Sequence, residues 1–413
     1  MSLGALWRRK GSEEGRRASG TPAYISVLDP GVTTLRVLVV EVADGHATVW
    51  GWDERPGSAD PSQLAGACEQ ALTQAEQMAR ERAGHFLLAD QMWVGLPASQ
   101  LRGGAWPVVQ SRSRPERAVD EEELESLLAR ALRLSANRLA DPEYPGWFLV
   151  DAAAVTLTVD GRRVTDPVGF RGEELGATVF AALGRGETIA SWRAVAQEFE
   201  FSELALAAAP LALAASLSEP QGLLVDVGGA TTDVTWWRMG RPVELASLTM
   251  GGADLTRALL QTWRLSTERV ESIKADYASG RLSAEGRSEV LDVLAPTLQT
   301  WRNEMEALLA NLDQEGPLPQ QIYLQGGGSV LPEIRDAVRS LAWSRRLHFA
   351  RYPEVKRWRP TDVPGVVNRT DRGRGPGDVT ALALAAWAAS QGQAPDRPAR
   401  ILGALCQGDS AST

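Results

Sequence analysis

Residues 222–237 read GLLVDVGGATTDVTWW, an apolar run that two glycines and two threonines interrupt between Asp226 and Asp233 before it resumes. A hairpin that only reversed the chain would use a pair such as Asn-Gly and set no carboxylate at the end of a buried strand. The extra residues point to a ligand held by the turn. Glycine lets the backbone approach closely and aim N–H groups at an anion, threonine hydroxyls add donors, and a carboxylate such as Asp226 orients a divalent cation through water. A phosphate fits that chemistry.

The same pattern occurs near the start of the chain, where YISVLDPGVTTLRVLVVEV (24–42) reads as two strands joined at DPGVTT. Aligning Asp29 with Asp226 places Gly31 on Gly228, and a one-residue gap then places Thr33 and Thr34 on Thr231 and Thr232. The chain therefore reads as two related halves about one domain length apart. Two such turns, the second contributing Gly228 and Gly229, would clamp a phosphate chain from both sides, with Asp29 and Asp226 facing a cation through water. A third turn, Gly326-Gly327-Gly328-Ser329, follows the strand IYLQ and precedes a helix that Pro332 can open at its first position. Its missing side chains leave a flat surface for a nucleoside.

Between these turns, helical periodicity over 61–84 and a strand in HFLLADQMWVGLP make the first half alternating α/β. Residues 93–183 read as an insertion: a strand near VVQSR, an acidic-start helix in DEEELESLLARALRLSANRLA, and strands in GWFLVDAAAVTLTVDGRRV and ELGATVFAAL. Residues 187–218 read as helix. Within them the run LALAAAPLALAASL (204–217) is shorter than a membrane span and carries Pro210, which predicts one or two buried helices. The second half has strands over 222–248 and helices from about 253 to 313. Both chain ends read as irregular, with GQAPDRPAR as a linker and QGDSAST as a tail.

Composition narrows the function. The 413 residues carry a formal charge of −9, which argues against a general nucleic-acid binder. Cys68 and Cys406 are the only cysteines, too few for a disulfide framework, and a reducing cytoplasm fits. His46, His85 and His348 are scattered without metal-ligand spacing. No cleavage-type apolar region is visible in MSLGALWRRKGSEEGRRASG.

With LDPGVTTLRVLVVEV, LLVDVGGATTDV and IYLQGGGSVLPEI in this order, the sequence resembles the actin-like ATPase superfamily. TMGGADLTRAL, VESIKADYASG and VTDPVGFRGEELGATVFAAL extend the resemblance to the FtsA-like cell-division proteins, over roughly residues 24–390. It implies an α/β, duplicated actin-like ATPase fold with two lobes around a nucleotide cleft and a small inserted α+β domain. Its parts would be a basic N-terminal arm at 1–21, a first lobe at 22–92 completed by about 184–220 and 370–390, the insertion at 93–183, a second lobe at 221–369, and a linker and tail at 391–413. The resemblance further implies ATP and Mg²⁺ as cofactors, a contact at Gly252, and Glu271 and Lys274 facing base and ribose. By spacing alone, Glu271 and Lys274 are equally an ion pair on one helical face, and Asp254 is a helix N-cap. Asp233 would face the cation with Asp226 or fix the hairpin.

The implied role is that of a self-associating scaffold that links a tubulin-like division protein to the inner face of the cell membrane, at most a slow ATPase. Pro30, Val32 and Ala230 depart from the family's more open loops, and no Glu or Gln before Asp226 is well placed to orient a water; Glu203 reads better as a solvated helix-end carboxylate. A pilus-assembly (PilM-like) ATPase that grips a peptide of a membrane protein is the alternative, and a small-molecule kinase a remoter one. Two segments could contact an anionic membrane. One is PARILGALCQG, with Arg397 and Arg400 ahead of Ile401, Leu402 and Leu405; the other is LGALWRRK, with Leu3, Leu6 and Trp7 beside Arg8, Arg9 and Lys10.

Overall fold

The computed structural model describes residues 23–409 apart from 59, 86, 141–144, 313–315 and 342–345, and apart from the side chains of 407–409. The N-terminal arm, with its LGALWRRK segment, lies outside the described residues. The chain opens with β1 (Ala23–Pro30), β2 (Thr34–Ala43) and β3 (His46–Pro56), then α1 (Ala65–Ala83) and β4 (Gln91–Leu96). The inserted segment supplies β5 (Leu101–Ser111), α2 (Glu121–Leu139), β6 (Trp147–Val159), β7 (Arg162–Val164) and β8 (Glu174–Arg185). α3 (Gly186–Glu198), β9 (Glu203–Ala208) and α4 (Ala209–Ala215) return the chain to the first lobe.

The second lobe holds β10 (Gln221–Val227), β11 (Thr232–Arg238), β12 (Arg241–Leu248), α5 (Gly252–Trp263), α6 (Thr267–Ala278), α7 (Ala284–Leu312), β13 (Gln321–Gln325), α8 (Pro332–Ser340) and β14 (Glu354–Arg357). β15 (Val366–Asn368), α9 (Val379–Gln391) and α10 (Arg397–Asp409) complete the chain.

Local chemistry sets many of these boundaries. Asp44-Gly45, Asp160-Gly161 and Met239-Gly240 all have positive φ, the two-residue geometry that matches the twist of the hairpins they close. Asp120 and Glu123 form a reciprocal capping box at the start of α2, and Gly84, at φ 74°, ends α1.

One six-stranded sheet has the order β15-β3-β2-β1-β4-β9, and a nine-stranded sheet has β14-β13-β10-β11-β12-β5-β8-β6-β7. The duplication is explicit in this order, because β3-β2-β1-β4-β9 is repeated as β12-β11-β10-β13-β14, with β1, β4 and β9 parallel in one and β10, β13 and β14 parallel in the other. The two lobes share a core in which α4 (Ala212, Leu213) and α9 (Leu382, Ala385) pack with Leu224 and Trp237 of the second sheet. The inserted domain continues the second lobe's sheet, but β12 and β5 meet at a single ladder pair, Glu244 with Gly104.

Three expectations change. The apolar run at 204–217 is not all helix: residues 203–208 are β9, the strand beside β4, and Pro210 sits in the first turn of α4. An Ala/Leu run carries no turn signal, and the change of element becomes legible only when Pro210 is read as a helix start. β15 pairs with β3, so residues 366–368 join the first lobe's sheet and leave the second lobe to which the sequence assigned them. Residues 397–409 are a docked helix and not a tail, because Ile401 and Leu402 find an apolar surface on the inserted domain.

Candidate functional site

Parallel strands bring the glycine turns together. In open sheets of this kind, ligand crevices form beyond the carboxyl ends of the strands. Asp29 lies at that end of β1, Asp226 at that end of β10, and Gln325 closes β13.

The two hairpins match residue for residue. Asp29 pairs with Arg36 across β1 and β2, and Asp226 pairs with Asp233 across β10 and β11. The register needs no gap. It matches Thr34 with Thr231, Leu35 with Thr232 and Arg36 with Asp233, which corrects the alignment of both threonines. Thr232 therefore holds the core position of Leu35: it is buried, donates to the Met250 carbonyl at 2.8 Å and accepts from Trp301 Nε1 at 2.8 Å. It presents no group to the cleft.

The first two turns touch. A Cβ on Gly229 would lie 2.2 Å from Thr33 Cγ2, so only glycine admits this approach. Gly31 N–H donates to the Asp29 carbonyl at 3.1 Å, and Gly228 N–H donates to the Thr231 carbonyl at 2.9 Å. The second turn rests on α5: Gly252 N–H and Ala253 N–H donate to the Gly228 and Gly229 carbonyls, each at 2.8 Å. The Gly252 amide thus anchors the turn. The N-cap of α5 is Gly251 and not Asp254, which lies at the third helical position and reaches back to accept from Gly251 N–H at 2.9 Å.

In the third turn Gly326 has φ 87°, and a Cβ there would fall 2.3 Å from Asp226 Oδ1 and 2.4 Å from the Val227 carbonyl oxygen. Gly328 packs on Val227, whereas Gly327 is exposed and a Cβ on it would meet nothing within 4 Å. Gly327 is the open floor. Ser329, expected among the ligand contacts, is buried and donates its hydroxyl to the Gly326 carbonyl at 2.7 Å, closing the turn instead. Lys274 Nζ lies 2.8 Å from Glu271 Oε1 and 3.5 Å from the Gly252 carbonyl. The pair is therefore both an ion pair of α6 and a neighbour of the cleft turns.

The electrostatics rest on residues that motif reading passed over. Arg36 Nη1 lies 3.5 Å from Asp29 Oδ2, and its Nε donates to Asp378 Oδ1 at 2.7 Å. Asp226 Oδ2 accepts from Gln325 Nε2 at 3.0 Å and from the Thr380 hydroxyl at 3.5 Å. Asp233 Oδ2 accepts from Ser99 N–H at 3.2 Å and from its hydroxyl at 3.3 Å, while Asp233 Oδ1 is buried without a hydrogen-bond partner. Burial pushes the Asp226 carboxyl up to about 7, and the charges of Asp233 and Asp29 add to it. Burial also raises Asp29, to about 6, against the pull of Arg36, and raises Asp233.

Crowded carboxylates and an orphaned oxygen beside one arginine fit a divalent cation, which would neutralise them. Among the described residues no three Asp, Glu, His or Cys side chains converge on one point as direct ligands. The carboxylates fit a cation held through its water shell.

Signals for these residues were present. Arg36 is the one charged residue in TLRVLVV, and counting across the hairpin sets it opposite Asp29. Asp378 stands in GPGDV just ahead of an apolar helix, and Pro376 of the same turn accepts from Gly326 N–H at 3.0 Å, tying α9 to the third turn.

No protein-family model matches the chain. The cell division protein FtsA of Neisseria meningitidis serogroup B is 24% identical over 302 residues, covering 70% of this chain and 69% of that protein. The cell division protein FtsA of Pseudomonas aeruginosa is 25% identical over 338 residues, covering 73% of this chain and 77% of that protein. Among solved structures, a chain of the PilM–PilN type IV pilus biogenesis complex superposes with a TM-score of 0.61 at 19% identity, over 89% of this chain and 98% of that one. Taken with the duplicated strand order and the three turns that meet between the lobes, these similarities show an actin-like ATPase fold in a chain whose sequence is similar to FtsA cell division proteins.

Proposed function

We propose that the chain binds magnesium ATP between its lobes and acts by assembly, as a scaffold of bacterial cell division that joins a tubulin-like filament to the inner face of the cell membrane. The observation that carries this reading is the meeting of three glycine turns around buried, mutually repelling carboxylates. In it, the backbone of the first two turns with Thr33, Thr34, Thr231 and Arg36 takes the phosphates. Asp29 and Asp226 hold magnesium through water, Gly326 to Gly328 carry the nucleoside, and Glu271 and Lys274 face base and ribose. Bound nucleotide supplies a ligand that biases cleft closure, and with it self-association.

Turnover is slow in this reading. Parallel pairing sets Leu96 of β4 opposite Ala208, so the corner from β9 into α4 lies at the cleft end of the sheet. That corner is Ala208-Ala209-Pro210, all buried, with no side chain to orient a water. Glu203 starts the same strand and is exposed, roughly 17 Å from that corner at the rise of a strand. It is no candidate for the water-orienting group.

No helix among the described residues is long and apolar enough to cross a membrane. Because Ile401 and Leu402 are packed on the inserted domain, the proposed membrane contact falls to the N-terminal segment with Leu3, Leu6 and Trp7. The second reading, a pilus-assembly protein that binds a membrane-protein peptide, draws support from the superposition on 98% of a chain of the PilM–PilN complex. Co-sedimentation with a tubulin-like division polymer separates the two, since only the scaffold pellets with it.

Gly327→Arg tests the cleft. Gly327 faces open space, so the variant is expected to keep its melting temperature and to lose ATP binding in calorimetry. Unchanged affinity would remove the nucleoside floor from the reading.

A further inference from the structure

The last helix makes contacts that the cleft does not explain. α10 leaves α9 through residues 392–396, all exposed, and lies across α2 and β6 of the inserted domain. Ile401 and Leu402 are 4% and 1% exposed and join the inserted domain's core, with Leu405 and Cys406 packed beside them. Arg397 donates to Asp166 Oδ2 at 2.7 Å and lies 3.5 Å from Glu121 Oε2, and Arg400 donates to Glu121 Oε1 at 2.8 Å. The surface thus recognises a helix carrying two arginines three apart, an aliphatic pair after the second, and further apolar cover one turn on.

The hold is light. A helix of 13 residues is marginal alone and owes its shape to the surface beneath it. Three buried residues, Pro398, Ile401 and Leu402, supply most of that surface contact, since ion pairs as exposed as Arg400 with Glu121 add little. The contacts are also blind to connectivity: they are the same whether the linker leads to the helix's own α9 or to that of another copy.

We infer that α10 is an exchangeable connector, and that a second copy of this chain is the partner its seat on the inserted domain accepts. In a lone molecule the linked helix wins, because tethering gives it an effective concentration on the order of millimolar. Where copies are crowded, exchange joins neighbours and adds no new contact. The inference is independent of the cleft, and its test contains no nucleotide.

The probe is a labelled peptide of residues 394–409, titrated by anisotropy against full-length chains. The chain with Ile401→Asp and Leu402→Asp, its own helix disabled, should bind the peptide at least about tenfold more tightly than the unmodified chain, whose seat is filled. Adding Glu121→Arg should remove that gain, and Arg400→Glu in the peptide, which leaves the Arg397 pair with Asp166 in place, should recover part of it. The helix-disabled chain, mixed with a chain carrying Glu121→Arg and Asp166→Asn, should give a species of twice the monomer mass that neither forms alone.

Thermal melting checks that each variant is folded. Should the aspartate pair unfold the chain, Arg397→Glu with Arg400→Glu in the full chain replaces it, because both side chains lie at the surface. Equal peptide binding by filled and disabled chains, no binding by either, or a mixture that stays monomeric would each overturn the exchange.

Discussion

Asp226→Asn is expected to weaken magnesium-dependent ATP binding by at least about 100-fold and, at the same time, to raise the melting temperature at pH 8. The loss follows from removing the charge that orients the cation's water shell; charge-assisted hydrogen bonds of this kind contribute about 1.5–3 kcal/mol each, and 100-fold is about 2.7 kcal/mol. The gain follows from the raised carboxyl. With a folded value of about 7 against an ordinary one near 4, the native state keeps a proton that the unfolded chain has released. The contribution of Asp226 is therefore favourable at low pH and is lost as pH rises towards 7 and beyond.

Asparagine has no such proton, so the stability difference between variant and parent should be small at pH 4 and grow to a few kcal/mol in the variant's favour by pH 8, at about 1.4 kcal/mol per unit. Magnesium ATP should close the gap at pH 8 by stabilising the parent alone. Thermal melts across pH, with calorimetry at pH 8, read both effects. A difference that stays flat from pH 4 to 8 would remove the buried-charge account.

Gly326→Ala is expected to destabilise the protein by roughly 3 kcal/mol or more, and Gly327→Ala next to it by less than about 0.5 kcal/mol. At φ 87° a Cβ costs roughly 1–2 kcal/mol in backbone strain alone. The methyl would in addition sit 2.3 Å from Asp226 Oδ1 and 2.4 Å from the Val227 carbonyl oxygen, so the carboxylate or the strand end must shift. Affinity for nucleotide should fall with stability at 326 only, because Asp226 is the atom group displaced. Denaturant midpoints of the two variants decide it, and equal midpoints would mean that the third turn does not lean on Asp226.

Much of the fold was legible because its markers are local. Apolar strands ending in Asp, glycine pairs after them, and Pro332 at a helix start each name a backbone requirement that few other residues meet. What was misread depended on registers and partners distant in sequence. Thr232 looks like a ligand donor beside Gly229, and only the pairing of Val227 with Thr232 shows that it shares the inward position of Leu35. Ser329 likewise follows three glycines, yet its hydroxyl serves the turn.

Arg36 was passed over because glycine motifs draw attention to turns, although strand pairing sets its side chain beside Asp29. The docked α10 was illegible for another reason: Ile401 and Leu402 read as an ordinary amphipathic end until the inserted domain supplies the other half of the contact.

The single ladder pair between Glu244 and Gly104 gives the inserted domain two masters. Its chain connections, residues 97–100 ahead of β5 and the direct run of β8 into α3, fasten it to the first lobe, while that rung and the packing of Val243 and Leu245 of β12 beside Phe180 couple it to the second. Rotation of one lobe against the other would shear this strip of contacts, with the rung at its edge. A domain gripped from both sides in this way would turn a small change at the cleft into a swing of its far edge at β7. Amide exchange at Gly104 and Glu244 reads how often the rung opens.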